Sequence, residues 1–168
     1  LEEKYGNRLE CIFYEDYKKT NNLYTLNSAI KHLNQETLVM FSDVLIDFKT
    51  LKNITSSKSD YNLLVHQKDI LEGTMKVKVK DDLIYEIGSH IPQTEADGNF
   101  VGIAKFSSNG TKVLRSKIKS ICETKKRVQE YYTVVLNEIA SEGGHINFIN
   151  ADTPWIEIDT IEDYEKAK

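Results

Sequence analysis

A chain of 168 residues with 40% hydrophobic and 29% charged residues is the right size and mix for one folded globular domain, which excludes a disordered or fibrous segment. Its formal net charge of −4 weighs against nucleic acid as a main partner, because a phosphate backbone demands a basic surface. Cys11 and Cys122 form no CxxC pair, His32, His66, His90 and His145 show no HxH or HxxxH spacing, and no apolar run approaches the about 20 residues of a membrane span, so a disulfide framework, a zinc site and a transmembrane helix are all disfavoured.

The chain opens on Leu1-Glu2-Glu3-Lys4, too charged for a signal peptide. With its unpaired cysteines this predicts a cytoplasmic protein. Leu9 to Tyr14 alternates loosely and predicts a strand, followed by a polar loop from Tyr17 to Thr20. Asn21 or Asn22 can cap the next helix, since a short side-chain acceptor satisfies free backbone N–H groups. In that helix Leu23, Leu26, Ile30 and Leu33 recur at helical spacing. Thr37 to Phe41 is a continuous apolar run, as expected of a central strand covered on both faces, and it ends at Ser42-Asp43. Asp47 opens a second helical pattern through Leu51 and Ile54. After a turn over Ser56 to Asp60, Tyr61 to Val65 reads as another strand.

The pattern then changes. Met75 to Lys80 alternates apolar and basic residues, Asp81-Asp82 turns, and Leu83 to Ile87 returns as a β-hairpin. A loop with Pro92, Asp97 and Gly98 leads to a strand from Phe100 to Phe106. Two helices are predicted, from about Gly110 to Cys122 and from Val128 to Ala140, the second closed by Gly143-Gly144. Between them Lys125-Lys126-Arg127 reads as a solvated helix start rather than a binding patch. Ile146 to Ile149 and Trp155 to Asp159 are strands, and Thr160 starts a last helix with Asp163 at capping-box spacing. Alternating strands and helices around a hairpin predict an α/β fold over residues 1–168, with a mostly parallel sheet, an antiparallel hairpin portion and helices on both faces.

Ligands of such sheets bind beyond the carboxyl ends of the strands, where Asp43 and Asp159 both fall. In the strand from Trp155, Glu157 and Asp159 point to the same side. Two adjacent ionised carboxylates repel unless solvent or a cation lies between them, and a hard cation such as Mg²⁺ suits oxygen ligands while leaving room for phosphates. The plainer reading is a solvated edge strand with Asp159 or Thr160 capping the helix, and for Asp43 a turn-forming residue.

Several stretches resemble the phosphocholine cytidylyltransferase-like nucleotidyltransferases. Thr20-Asn21-Asn22-Leu23-Tyr24-Thr25-Leu26 is similar to their TNNxYSL stretch, and Phe41-Ser42-Asp43-Val44 to their GDV motif. Asp97 to Ser107 resembles their DGEFIGIAKFS strand. Tyr131-Tyr132, Trp155-Ile156-Glu157-Ile158-Asp159 and Asp163-Tyr164 match their closing pattern. The family includes phosphocholine, 2-aminoethylphosphonate and inositol-phosphate cytidylyltransferases and domains fused to phosphoenolpyruvate mutase. The resemblance runs over essentially the whole chain and implies a Rossmann-like nucleotidyltransferase sheet. It departs in three places. Ser42 replaces the glycine before the metal-binding Asp. Ser89 stands where relatives often carry a lysine, which bears on the grip on the acceptor phosphate. The family's N-terminal strand and glycine-rich loop have no counterpart, so Leu1 would fall after that unit and the Thr37–Phe41 strand would be left partly unpaired.

The resemblance implies Mg²⁺-dependent transfer of a cytidylyl group from CTP to a small phosphorylated or phosphonylated alcohol or amine, with release of pyrophosphate. Catalysis would be mainly positioning and charge neutralisation. Asp43 and Asp159 would be the catalytic metal ligands, with Glu157 binding the metal or a cationic head group. Asn21 and Asn22 could reach the acceptor or simply cap a helix. Trp155 and Tyr131 or Tyr132 could form an aromatic wall for an ammonium group or belong to the core. Lys105 could serve a phosphate or snorkel to the surface. A sugar-1-phosphate nucleotidyltransferase and a non-catalytic module of the same fold are the alternatives, and an unpaired apolar strand leaves homo-oligomerisation open.

Overall fold

The structure, a computed structural model, describes residues 2–124 and 127–168; Leu1 and the Lys125-Lys126 portion of the basic run lie outside the described residues. In chain order the first half holds α1 (Glu2–Tyr5), α2 (Asn22–Ser28), β1 (Thr37–Met40), β2 (Val44–Leu45), α3 (Phe48–Thr55), β3 (Tyr61–His66), β4 (Lys76–Lys80) and β5 (Leu83–Gly88). The second half holds β6 (Gly98–Phe106), α4 (Ser108–Glu123), α5 (Thr133–Ser141), β7 (Ile146–Asn150), β8 (Ile156–Glu157) and α6 (Ile161–Lys166). No helix of the described residues is long and apolar enough to cross a membrane.

The local chemistry behind these elements is explicit. Asp47 caps α3 by accepting from the backbone N–H groups of Lys49 and Thr50, and Ser107 caps α4 through those of Asn109 and Gly110. Thr160 and Asp163 form a reciprocal capping box on α6. Gly143, at φ +85°, ends α5 as a left-handed cap, its N–H bonding Ala140 O and that of Gly144 bonding Ile139 O. Asp81 and Asp82 both take positive φ, which turns the β4–β5 hairpin with the right twist.

The main sheet has six strands in the order β1-β6-β3-β7-β5-β4, with β4 also touching β6. Its strands β1, β3, β4 and β7 run one way and β5 and β6 the other. The fold is the expected mixed α/β arrangement, but β3–β7 is the one directly parallel pair, because β6 inserts antiparallel between β1 and β3. Every residue of β6 is buried, so this strand is the spine. Leu23, Leu114, Ile118, Val135 and Leu136 cover one face of the sheet, and Ile54, Leu64, Val101 and Ile103 fill the other, so helices lie on both sides.

Four expectations need correction. The Thr37–Phe41 strand is not central: β1 lies at the edge of the sheet order. Its apolar run reflects two covered faces, since Leu38 packs into one cluster and Val39 into the other, and covered faces do not fix lateral position. Leu9 to Tyr14 is not part of any strand; Ile12 and Phe13 are exposed there. The helix predicted from Val128 starts only at Thr133, the preceding residues being tied to α2 instead. The strand predicted from Trp155 to Asp159 shortens to β8, which pairs with β2 in a separate two-stranded ribbon.

Candidate active site

The β2–β8 ribbon brings together two segments that lie far apart in the chain. Val44 lies opposite Glu157 and Leu45 opposite Ile156. The Ile158 N–H donates to Asp43 O at 2.9 Å, which extends the pairing to the turn that carries Asp43. Alternation along the ribbon puts Glu157 and Asp159 on one side. Asp43, Glu157 and Asp159 line a single cleft of about 540 Å³ with Asn22, Thr74, Ser89 and Tyr131. Among the described residues, no lysine or arginine lines it. Burial, then the neighbouring Asp159 and Asp43 carboxylates, hold the Glu157 pKa above its ordinary value. Asp43 Oδ1 is buried and has no hydrogen-bond partner.

An orphaned carboxylate oxygen beside a carboxyl group destabilised by two like charges is an arrangement whose electrostatics suit a cation. Among the described residues, no three His, Cys, Asp or Glu side chains converge closely enough to enclose a metal ion by themselves. Mg²⁺ does not require such a cage: it keeps several waters and is held by one or two carboxylates together with substrate phosphates. The donor set fits that ion, with Asp43 and Asp159 as the carboxylates that could hold it and Glu157 beside them.

The position of Asp43 is set from behind. Gly102 sits within β6 at φ +80°, and a Cβ there would come 2.5 Å from the Phe41 ring. The close approach lets Phe41 N–H donate to Gly102 O at 2.9 Å, two residues before Asp43. The Phe41 ring then packs edge-on against Phe100, with centroids 5.9 Å apart, and against Tyr132 at 6.0 Å.

The other candidates separate cleanly. Asn21 caps α2, its side chain accepting from Asn22 N–H at 2.7 Å. Asn22 lines the cleft and its Oδ1 accepts from Tyr132 N–H at 2.8 Å, while Asn21 N–H donates to Val128 O. The pair thus fastens α2 to the segment that carries Tyr131. Tyr131 lines the cleft; Tyr132 is core, 1% exposed, and burial pushes its phenol pKa up. Trp155 does not line this cleft. It packs against the core cluster around Ile54 and Leu64, edge-on to His66, and lines an adjoining cavity of about 390 Å³ that shares Thr74, Glu157 and Asp159. Lys105 is remote from the cleft: it lies towards the opposite end of β6, where Glu36 pairs with it at 3.0 Å and Ser57 O accepts from it. A charge that deep needs such partners, and they replace any phosphate. Sequence reasoning missed Thr25, Gly73 and Thr74 in the cleft wall. Thr25 is a polar position within α2, and Gly73 and Thr74 lie in the loop between β3 and β4, so none of them carries an apolar periodic signal.

No family model and no curated protein sequence matches the chain. Solved structures do. A CTP:phosphocholine cytidylyltransferase from Streptococcus pneumoniae aligns over 99% of this chain and 69% of its own, at 19% identity and a TM-score of 0.77. The inositol-1-phosphate CTP transferase from T. maritima aligns over 86% of this chain and 58% of its own, at 20% identity and a TM-score of 0.67. A Bacillus anthracis protein named as a glucose-1-phosphate thymidylyltransferase aligns over 88% and 59%, at 17% identity and a TM-score of 0.69. The chain shares the fold of these three proteins. It spans about three-fifths of the length of the last two proteins. Within that fold, the acidic cleft lies where β1 gives way to the β2–β8 ribbon.

Proposed function

We propose that the protein is a Mg²⁺-dependent nucleotidyltransferase that moves a cytidylyl group from CTP to a small phosphorylated or phosphonylated alcohol or amine, of the phosphocholine or 2-aminoethylphosphonate type. The observation that carries this reading is the convergence of Asp43, Glu157 and Asp159 on one cleft, with Asp43 Oδ1 buried and unpartnered. An acceptor phosphate oxygen attacks the α-phosphorus, the bond to the bridging oxygen breaks, and pyrophosphate leaves. The attacking oxygen is already anionic, so the chain needs no strong general base. Mg²⁺, when bound, supplies the positive charge that lets two anions approach. The chain's own residues hold the geometry: Asp43 and Asp159 would hold the cation, with Glu157 beside them, and Asn22 steadies the wall that bears Tyr131.

A sugar-1-phosphate acceptor is the second reading, favoured by the fold's likeness to the thymidylyltransferase-named protein. Pyrophosphate release measured on full-length protein with a panel of nucleoside triphosphates and acceptors tests both. We expect turnover with CTP and an amino- or choline-type phosphate or phosphonate. Turnover only with a sugar 1-phosphate would select the second reading. Divalent-cation binding without turnover on any pair would leave a binding module of the same fold.

A further inference from the structure

Asn99 is fully buried in β6, one residue after Gly98, and every polar atom of its side chain is engaged by the loop that follows β3. Its Oδ1 accepts from Leu71 N–H at 2.8 Å and from Thr74 Oγ1 at 3.0 Å. Its Nδ2 lies within donating distance of His66 O, Lys68 O and Asp69 O, at 3.2, 3.4 and 3.3 Å. An amide is the side chain that can do this, since it offers acceptor and donor atoms at once. Asp69, within the loop, takes a positive φ of 50°, a conformation that persists only where the surroundings hold it. The far end is fixed by Phe100 N–H, which donates to Met75 O at 2.7 Å.

The loop matters because of where it goes. Gly73, Thr74 and Met75 wall the acidic cleft, and Thr74 also lines the adjoining cavity beside Trp155. This stretch of the cleft wall is therefore set by one buried amide that lies outside the cleft lining. Among the described residues no lysine or arginine lines the cleft, and its hydroxyls, backbone and thioether suit a small partner better than a triphosphate, which needs a cationic cradle. We propose that Asn99 is a positioning residue that sets acceptor recognition, by holding the 67–75 loop so that Gly73, Thr74 and Met75 wall the cleft that holds the carboxylates.

The inference about the acceptor rests on the proposed transferase activity; the loop-holding does not, and the two are read separately. Hydrogen exchange on the protein and on Asn99→Ala should show the Leu71 amide exchanging at least about tenfold faster in the variant, with β3 and β6 unchanged. In the transfer assay, Asn99→Ala and the milder Thr74→Val should each raise the acceptor KM about tenfold or more while kcat and the CTP KM change less than about threefold. Thr74→Val leaves the core intact, so it decides the matter if Asn99→Ala does not fold. Unchanged loop exchange, or equal losses in both KM values and kcat, overturns the proposal. Accelerated loop exchange in a protein without transfer on any substrate pair would uphold the loop-holding, and the fault would then lie with the proposed activity.

Discussion

A carboxylate oxygen shut away from water without a partner is costly, and Asp43 keeps one. The cost makes sense if the oxygen is kept for a ligand. Replacing Asp43 or Asp159 by Asn preserves shape and removes the charge that would hold a cation. We expect each variant to melt normally and to lose about a hundredfold or more in turnover, because a cation contributes several kcal/mol at a developing phosphoryl charge. Pyrophosphate release at limiting Mg²⁺ checks this, and wild-type rates in either variant would refute the assignment. Tyr132 offers the contrary case. Its hydroxyl is also buried and unpartnered, but it sits in the aromatic cluster behind the site rather than in the cleft. Tyr132→Phe should leave stability unchanged or raise it by about 1 kcal/mol, as read in a denaturant titration. A loss of that size would mean that the hydroxyl has a partner after all.

At the level of elements, α3 shows how a single cap ties a helix to the closing segment of the chain. Asp47 accepts from the N–H groups of Lys49 and Thr50 and from the hydroxyls of Thr50 and Thr153. The Thr153 and Thr50 hydrogen bonds, in that order, draw its pKa down to about 2 from 3.8. A depressed acid stabilises the fold above its unfolded pKa and loses that contribution as the folded value is approached. The contribution of Asp47 is thus full above about pH 4 and fades towards pH 2. Thermal unfolding of Asp47→Asn should show a deficit against the wild type near neutral pH that closes over this window; a deficit constant down to pH 2 would contradict it.

The same scale explains what could be read from the sequence. Helices with a cap and a strong apolar stripe, such as α3 and α4, were legible to within a few residues. So were the β4–β5 hairpin and the capping box of α6. The edge position of β1 was not, because lateral order depends on pairings between distant segments. Nor was the separate β2–β8 ribbon, since two-residue strands have no period to detect. For the candidate site, the acidic residues stood out by type and position at strand ends. Lys105 was misplaced because a lysine in an apolar strand looks the same whether its partner is a ligand or, as here, Glu36 and a backbone carbonyl. Asn99 was invisible because its importance lies wholly in what it bonds.

For the molecule as a whole, the distribution of charge limits what these residues can do alone. Among the described residues no cationic side chain lines the acidic cleft, and none of the glycines between Gly6 and Gly144 forms a strand–glycine-rich loop–helix unit for the β- and γ-phosphates. We therefore expect residues 1–168, purified alone with CTP, Mg²⁺ and phosphocholine or 2-aminoethylphosphonate, to release no pyrophosphate. Robust turnover would show that another element grips the triphosphate.

The ribbon of β2 and β8 has a consequence for how the protein comes into being. Asp43 and Asp159 sit far apart along the chain, and the Ile158 amide that reaches Asp43 O leaves the ribosome long after Asp43 itself. The sheet needs nothing beyond β7, so it can assemble while the acidic site is still half written. A newborn chain thus has the strands of its main sheet before it has its acidic cleft, which closes only once Glu157 and Asp159 have been made.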